Sequence, residues 1–410
     1  MECKLIDSDF WDKFVEQNWE KSAFSMERAF ETPPIQPSAL FKSVVTCVTD
    51  FPAHVGVRFY VGTALQTLYI GHAMLPQTSD NSFEEYNRRL RGQLNAQDYC
   101  LIITNIESVD FELWNWSREF LYGLYEKIGF NKLGVYYGLF IGNYSKTPFG
   151  VHRDPESIFH IPVVGRKTLR TWDGGYEAMK PGIVRAHDYS EFVVDSVKVE
   201  AGPGGILYWP SPAWHIAERS DDFSVSLGLS LNCFPSIAQG LTQRAEIDPS
   251  GLVPPDFDPC VKFSPDNLGN SAVELPPDFK AASVFMENLN WEVIFHKQWI
   301  KLVTGYNFMY PPQPELMKVM RRDATISGNA KYPIVAVNLA GDQLAVSANG
   351  HLIDLPSNDV FVKIIKKVND GQSVKVTSLI HDLNFEMQQS VLRLLSWLES
   401  VRSIKVSSVR

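Results

Sequence analysis

The feature that most constrains this chain is the tripeptide His152-Arg153-Asp154, answered far downstream by His215. On extended backbone, residues i and i+2 point to the same face. An H-x-D pair therefore delivers an imidazole and a carboxylate to one side of one strand. A second imidazole must then come from a distant strand of the same barrel. His215 closes the run LYWPSPAWH, an apolar strand followed by a tight Pro-containing turn, which brings it there. Two imidazoles and one carboxylate form the facial donor set that holds non-haem Fe(II) and leaves coordination positions open.

An H-x-D tripeptide alone is common, and the context gives this one its weight. Lys167 follows in the run IFHIPVVGRKTLRTW, which reads as a strand, a turn at Gly165 and a second strand. A cation on that next strand can meet the distal carboxylate of a keto-acid cofactor as a charge-assisted partner. The open iron positions take the other end of the same molecule.

Taken together, the stretches His152-Arg153-Asp154, Gly165-Arg166-Lys167 and Gly204-Gly205-Ile206-Leu207-Tyr208-Trp209-Pro210 running to Trp214-His215 resemble the JmjC-type, cupin-fold Fe(II)/2-oxoglutarate oxygenases. The ribosomal-oxygenase and asparaginyl-hydroxylase branches are the most similar. The resemblance spans roughly residues 130–235. It implies a mainly β chain with flanking helices, built on a double-stranded β-helix. His152, Asp154 and His215 become iron ligands, and Lys167 the partner of the 2-oxoglutarate carboxylate. Asn232 matches a polar position near the cofactor; Tyr137 and Thr147 are looser carry-overs as cofactor-binding residues. Gly205 stands where that family usually has Asp, at a turn.

Composition agrees with a soluble intracellular enzyme. Apolar residues make up 45% of 410, enough for a sizeable core. No run approaches the roughly 18 apolar residues of a membrane span, and the N-terminus has no signal-peptide pattern. The five cysteines are scattered without a C-x-x-C, as in a cytoplasmic protein with reduced thiols. A net charge of -9 argues against a nucleic-acid surface.

The chain divides into a flanking region (1–100), a catalytic barrel (101–235), a linker and helical region (236–330) and a small C-terminal α+β domain (331–410). Phe10, Phe14, Trp19 and Phe24 form the apolar stripe of an opening helix. The Pro/Asp/Gly/Ser-rich stretch at 235–280 reads as a linker or covering loop. In the C-terminal block, Asn349-Gly350 is a hairpin signal. Two amphipathic helices follow, one on Val360, Phe361, Ile364, Ile365 and Val368, the other on Met387, Val391, Leu394, Leu395, Leu398 and Val401. This block resembles the winged-helix-like tail of ribosomal oxygenases, which implies a role in homodimers or substrate contact. Its nine Lys/Arg against seven Asp/Glu are too balanced for a phosphate-binding face.

Other residues read as bland. His160 is a pocket-lining or core histidine rather than a fourth ligand. His54 and His187 are structural or surface, and Trp172, Trp209 and Trp214 are barrel packing. Arg153 and Arg170 read as surface residues before substrate contacts. The leading functional expectation is hydroxylation of an amino-acid side chain in a protein or peptide, with O2 as co-substrate. A tailoring hydroxylase of a free amino acid or small natural product, an N-methyl-lysine demethylase, and a cupin-fold binding protein without catalysis stand as alternatives.

Overall fold

A computed structural model describes residues 6–31, 33–50, 55–66, 72–131, 133–219, 221–233, 284, 287, 289–308 and 310–407. The barrel is built from eleven strands among these: β1 (Phe24–Met26), β2 (Gly56–Val61), β3 (Ala64–Leu65), β4 (Tyr99–Thr104), β5 (Val135–Gly142), β6 (Glu156–Val164), β7 (Lys167–Trp172), β8 (Val197–Ala201), β9 (Ile206–Trp209), β10 (Trp214–Arg219) and β11 (Ser224–Asn232). They form two antiparallel sheets. The larger has the order β1-β9-β6-β11-β5-β4-β2-β3, the smaller β10-β7-β8. From β6 onward the chain passes between them, with β7 and β8 in the small sheet, β9 in the large, β10 in the small and β11 in the large. This is the mainly β, double-stranded β-helix architecture with flanking helices that the motifs imply.

The β6–β7 crossing is made at Gly165. Its φ is +68°, and a Cβ there would lie 2.3 Å from the Phe223 carbonyl oxygen. Only glycine takes that backbone without strain. Gly205 is fixed by packing. A Cβ would come within 2.7 Å of the Met26 carbonyl oxygen, so the N-terminal segment occupies the space an Asp side chain would need.

The central strands of the large sheet are buried on both faces. The outer face carries Tyr137, Leu139 and Ile141 on β5, Phe159 and Ile161 on β6, and Leu227, Leu229 and Leu231 on β11. These pack on Trp11 and Phe14 of the helix Ser8–Gln17 and on Leu113, Trp114, Leu121 and Leu124 of the helix Phe111–Ile128. Side chains of Asp7 and Asp110 cap the two helices, each accepting a backbone N–H at 2.9 Å. The opening helix is shorter than the expected stripe. It ends at Gln17, so Trp19 and Phe24 join the core from beyond it, and Trp11 supplies the buried anchor.

A second core holds the C-terminal part. Strands β12 (Thr325–Ser327), β13 (Val335–Leu339), β14 (Gln343–Ala348), β15 (His351–Pro356), β16 (Val374–Lys375) and β17 (Lys405–Ser407) form two three-stranded sheets, β16-β12-β17 and β13-β14-β15. Asn349 and Gly350, at φ 47° and 81°, make the β14–β15 hairpin turn. The helices Asp359–Asn369 and Phe385–Ser400 bury Phe361, Ile364, Ile365 and Val368, and Val391, Leu394, Leu395 and Leu398. Met320 and Ala324 belong to the same core, so this packing begins before residue 331. The stretch read as a linker, 235–280, lies outside the described residues.

The C-terminal part sits behind the large sheet. Arg118, on the helix Phe111–Ile128, is buried under the rings of Trp114 and Tyr332 at 4.5 and 3.8 Å. Its Nη1 donates to Asn349 Oδ1 at 2.9 Å. The Val135 N–H at the start of β5 donates to the Asn307 carbonyl. No helix among the described residues is long and apolar enough to cross a membrane.

Candidate active site

The inner face of the large sheet and the small sheet enclose a cavity of about 380 Å3. Period-two alternation decides which side chains enter it. β5 sends in Tyr136, Gly138 and Phe140; β6 sends Glu156, Ile158 and His160; β11 sends Gly228 and Ser230. From the small sheet come Lys167 and Leu169 of β7, and His215 and Ala217 of β10.

His152, Asp154 and His215 converge here, with one ligand atom from each within 4.8 Å of the others. Asp154 Oδ2 lies 3.4 Å from His215 Nε2 and 3.7 Å from His152 Nε2. The H-x-D pair stands just ahead of β6 rather than inside a strand. Pro155 has no N–H to donate to a ladder, and regular pairing starts only at Glu156. His152 is nonetheless held as a single β-bridge. Its N–H donates to the His215 carbonyl at 3.0 Å, and the His215 N–H donates back at 2.7 Å. His215 is the second residue of β10, reached from β9 through a turn closed by the Ala213 N–H to the Pro210 carbonyl at 3.1 Å.

The tautomers follow from the surroundings. His152 Nδ1 lies 3.0 Å from the Gly150 carbonyl, and His215 Nδ1 3.2 Å from the Ala213 carbonyl. A carbonyl only accepts, so each Nδ1 donates to it and each Nε2 is turned toward Asp154. Burial, helped by the neighbouring His215, holds His152 down to about 3, so it is neutral. Burial pulls the Asp154 carboxyl upward, but its hydrogen bond with His215 outweighs this and holds it below the usual carboxylate range. A neutral His152 and an ionised Asp154 are in the protonation states that metal ligands require.

Lys167 opens β7 with only 2% of its surface exposed. Its ammonium meets the Tyr144 hydroxyl and sits 4.1 Å from the centre of that ring. No carboxylate partners it among the described residues. Burial lowers it to about 8. Thr147, on the β5–β6 loop, also lines the cavity, with its buried Oγ1 unpartnered. Both nitrogens of His160 and the Nε1 of Trp209 are buried there, without partners among the described residues. Four orphaned polar atoms and one uncompensated cation in one cavity fit an anionic ligand. Glu156, pushed up to about 6 by burial and by Asp154, accepts from the Tyr136 hydroxyl at 3.1 Å.

Tyr137 is not in the cavity. It points to the outer core, where its hydroxyl meets Ser117 Oγ at 2.8 Å. The neighbour Tyr136 takes the inward place, because one step along a strand changes the face. The sequence carried a signal for this. In YYGLFIG, Tyr137, Leu139 and Ile141 are uniformly large and apolar, whereas Tyr136 alternates with Gly138. Asn232 shares the parity of Gly228 and Ser230 but lies at the end of β11, beyond the cavity lining. Tyr144, Phe149, Arg58 and Arg185 also line the cavity and carry no motif. Arg58 comes from β2, far from the motifs in sequence, and Arg185 from a loop. Arg153 lines the rim, ion-paired with Glu177 at 3.3 Å. Arg170 pairs with Glu218 at 2.7 Å and takes no part in the lining.

Fold and centre together define a double-stranded β-helix with a two-histidine, one-carboxylate cluster inside it. No protein-family profile and no curated protein matches the chain. Among solved structures, it is similar to the Escherichia coli ribosomal oxygenase YcfD. The structure of that protein with cobalt and 2-oxoglutarate aligns at 15% identity over 97% of this chain and 98% of its own, with a TM-score of 0.46. Another crystal structure of it gives 14% identity over the same shares and a TM-score of 0.49.

Proposed function

We propose that this protein is an Fe(II)- and 2-oxoglutarate-dependent oxygenase that hydroxylates an amino-acid side chain in a protein or peptide. One observation carries the reading. A three-ligand metal cluster and a buried, uncompensated lysine share a single cavity. His152, Asp154 and His215 would hold the iron, and Lys167 with Thr147 would hold the cosubstrate. Bound iron and 2-oxoglutarate would supply, with O2, the oxidising power to place a hydroxyl on an unactivated C–H bond.

The chain contributes position and dryness. The backbone carbonyls of Gly150 and Ala213 orient the two imidazoles. Lys167 gives a dicarboxylate one charged anchor and so one orientation. Phe149 packs edge-on against His152 at 4.5 Å, and Trp209 lies 5.1 Å from His215, which shields the two imidazoles from water. In this reading residues 101–235 carry the chemistry and the protein works in the cytoplasm. The winged-helix-like C-terminal domain, 331–410, serves assembly, since among the described residues every one lining the cavity precedes residue 231.

A second reading, a tailoring hydroxylase of a free amino acid, is favoured by Arg58 and Arg185. Both line the cavity, and neither makes an ion pair among the described residues. An α-carboxylate would find a partner there.

The test is an anaerobic titration of the protein with Fe(II) and 2-oxoglutarate, followed by the visible metal-to-ligand charge-transfer band. The band is expected in wild type and weakened in Lys167→Ala. Its absence in wild type would overturn the reading. Succinate release with a peptide pool against free amino acids then separates the two substrates.

A further inference from the structure

The floor of the cavity has bare backbone at its centre. Gly138 on β5 pairs with Gly228 on β11, and Gly228 pairs with His160 on β6. Thr104 on β4 closes the same row on the other side of Gly138. A Cβ on Gly228 would lie 3.5 Å from His160 Nδ1, so the imidazole borders the glycine pair directly. Glycine inside a strand costs about 0.5–1 kcal/mol in backbone entropy. Two side by side in a central sheet mark a place where a ligand comes close to the backbone.

His160 is 4% exposed, lines this floor, and leaves both ring nitrogens without a partner among the described residues. The rings of Phe140 and Trp209, at 5.8 and 5.6 Å, fix its plane. It is kept neutral by burial and by the charge of nearby Lys167, and a neutral imidazole always carries one N–H donor. A buried donor left unmade costs about 1–3 kcal/mol. The ring is therefore arranged for an acceptor that arrives with a ligand.

We infer that His160 is a further binding residue for the dicarboxylate cosubstrate: the molecule lies across the Gly138–Gly228 floor, and the His160 N–H donates to the carboxylate that Lys167 anchors. The inference rests on the 2-oxoglutarate reading above. It makes the pocket selective for a 2-oxo acid with a second carboxylate, since a monocarboxylate would leave both the imidazole and the ammonium unsatisfied.

Calorimetric titration of the full-length, Mn(II)-loaded protein tests this, with 2-oxoglutarate and 2-oxobutyrate as probes. His160→Phe, with His160→Ala where the larger ring does not fold, is expected to weaken 2-oxoglutarate roughly tenfold or more. It should leave 2-oxobutyrate and Mn(II) affinity unchanged. His160→Asn, which restores a donor, is expected to recover most of the loss. Unchanged 2-oxoglutarate affinity, or equal loss for both acids, would overturn the assignment and leave His160 a packing residue. A wild type that binds Mn(II) but neither acid would instead overturn the cosubstrate reading on which it rests.

Discussion

The Lys167 ammonium lies 4.1 Å from the centre of the Tyr144 ring and meets its hydroxyl, inside a wall of the barrel where no carboxylate among the described residues pairs with it. A ring face and a phenol compensate a buried ammonium only partly. The unliganded protein thus keeps a charge poised for an incoming anion.

Lys167→Met should raise the stability of the protein without cosubstrate. The folded lysine is lowered from 10.5 to about 8, so between those values the unfolded chain binds more protons. Stability then rises with pH across that window, and the cost of the buried charge is fullest below pH 8. That cost is on the order of 3 kcal/mol. Urea titrations at pH 7 and pH 10 are expected to show a smaller gap between wild type and Lys167→Met at the higher pH. A constant gap would contradict the buried charge.

The same group sets the pH dependence of cosubstrate binding. A dicarboxylate needs the charged ammonium, so affinity should fall as pH rises through about 8, unless the ligand itself holds the proton and moves the inflection upward. Lys167→Ala should lose about 2–3 kcal/mol of affinity and the pH dependence with it. Isothermal titration from pH 6.5 to 9.5 reads both quantities.

His152→Ala, Asp154→Ala and His215→Ala should each abolish stable Fe(II) binding, because two ligands cannot hold the ion in this geometry. Added metal stabilises only a protein that binds it in the folded state. The thermal shift produced by Fe(II) or Mn(II) in wild type should therefore vanish in all three variants. A shift that survives in any one removes that residue from the ligand set.

Tyr137→Phe should cost about 1 kcal/mol, the loss of its buried hydrogen bond with Ser117, and leave 2-oxoglutarate affinity as in wild type. Denaturation midpoint and ligand Kd, measured together, decide it. Weakened binding at full stability would return the side chain to the cavity.

Arg118→Ala should be the most disruptive change outside the barrel, at about 3 kcal/mol or more. It removes two ring contacts and leaves Asn349 Oδ1 without its donor behind the sheet. Limited proteolysis is expected to cut between barrel and C-terminal part earlier than in wild type. Equal cutting rates would mean that other contacts hold the two together.

Much of this molecule was legible in the chain because its signals are local. The H-x-D spacing, the turn at Gly165, the Asn349-Gly350 hairpin and the two C-terminal amphipathic helices each depend on a few neighbouring residues. The misplacement of Tyr137 has a physical origin. Where a sheet is buried on both faces, hydrophobicity no longer separates inside from outside, and a loose alignment slips by one residue at no visible cost. Arg58, Tyr144 and Arg185 reach the cavity through cross-strand register and loop packing, which leave no mark in their own sequence neighbourhoods.

The sequence by itself determined the donor atoms: two imidazoles, a carboxylate and a lysine at spacings that extended backbone can use. Tertiary structure alone decided what those atoms face. Strand pairing set Gly138 beside Gly228 and His160, and the closing of two sheets buried Lys167 away from water. Identity is a local property of the chain. Desolvation, which shifts Lys167, His152 and His160 toward their neutral forms, exists only once distant strands have packed.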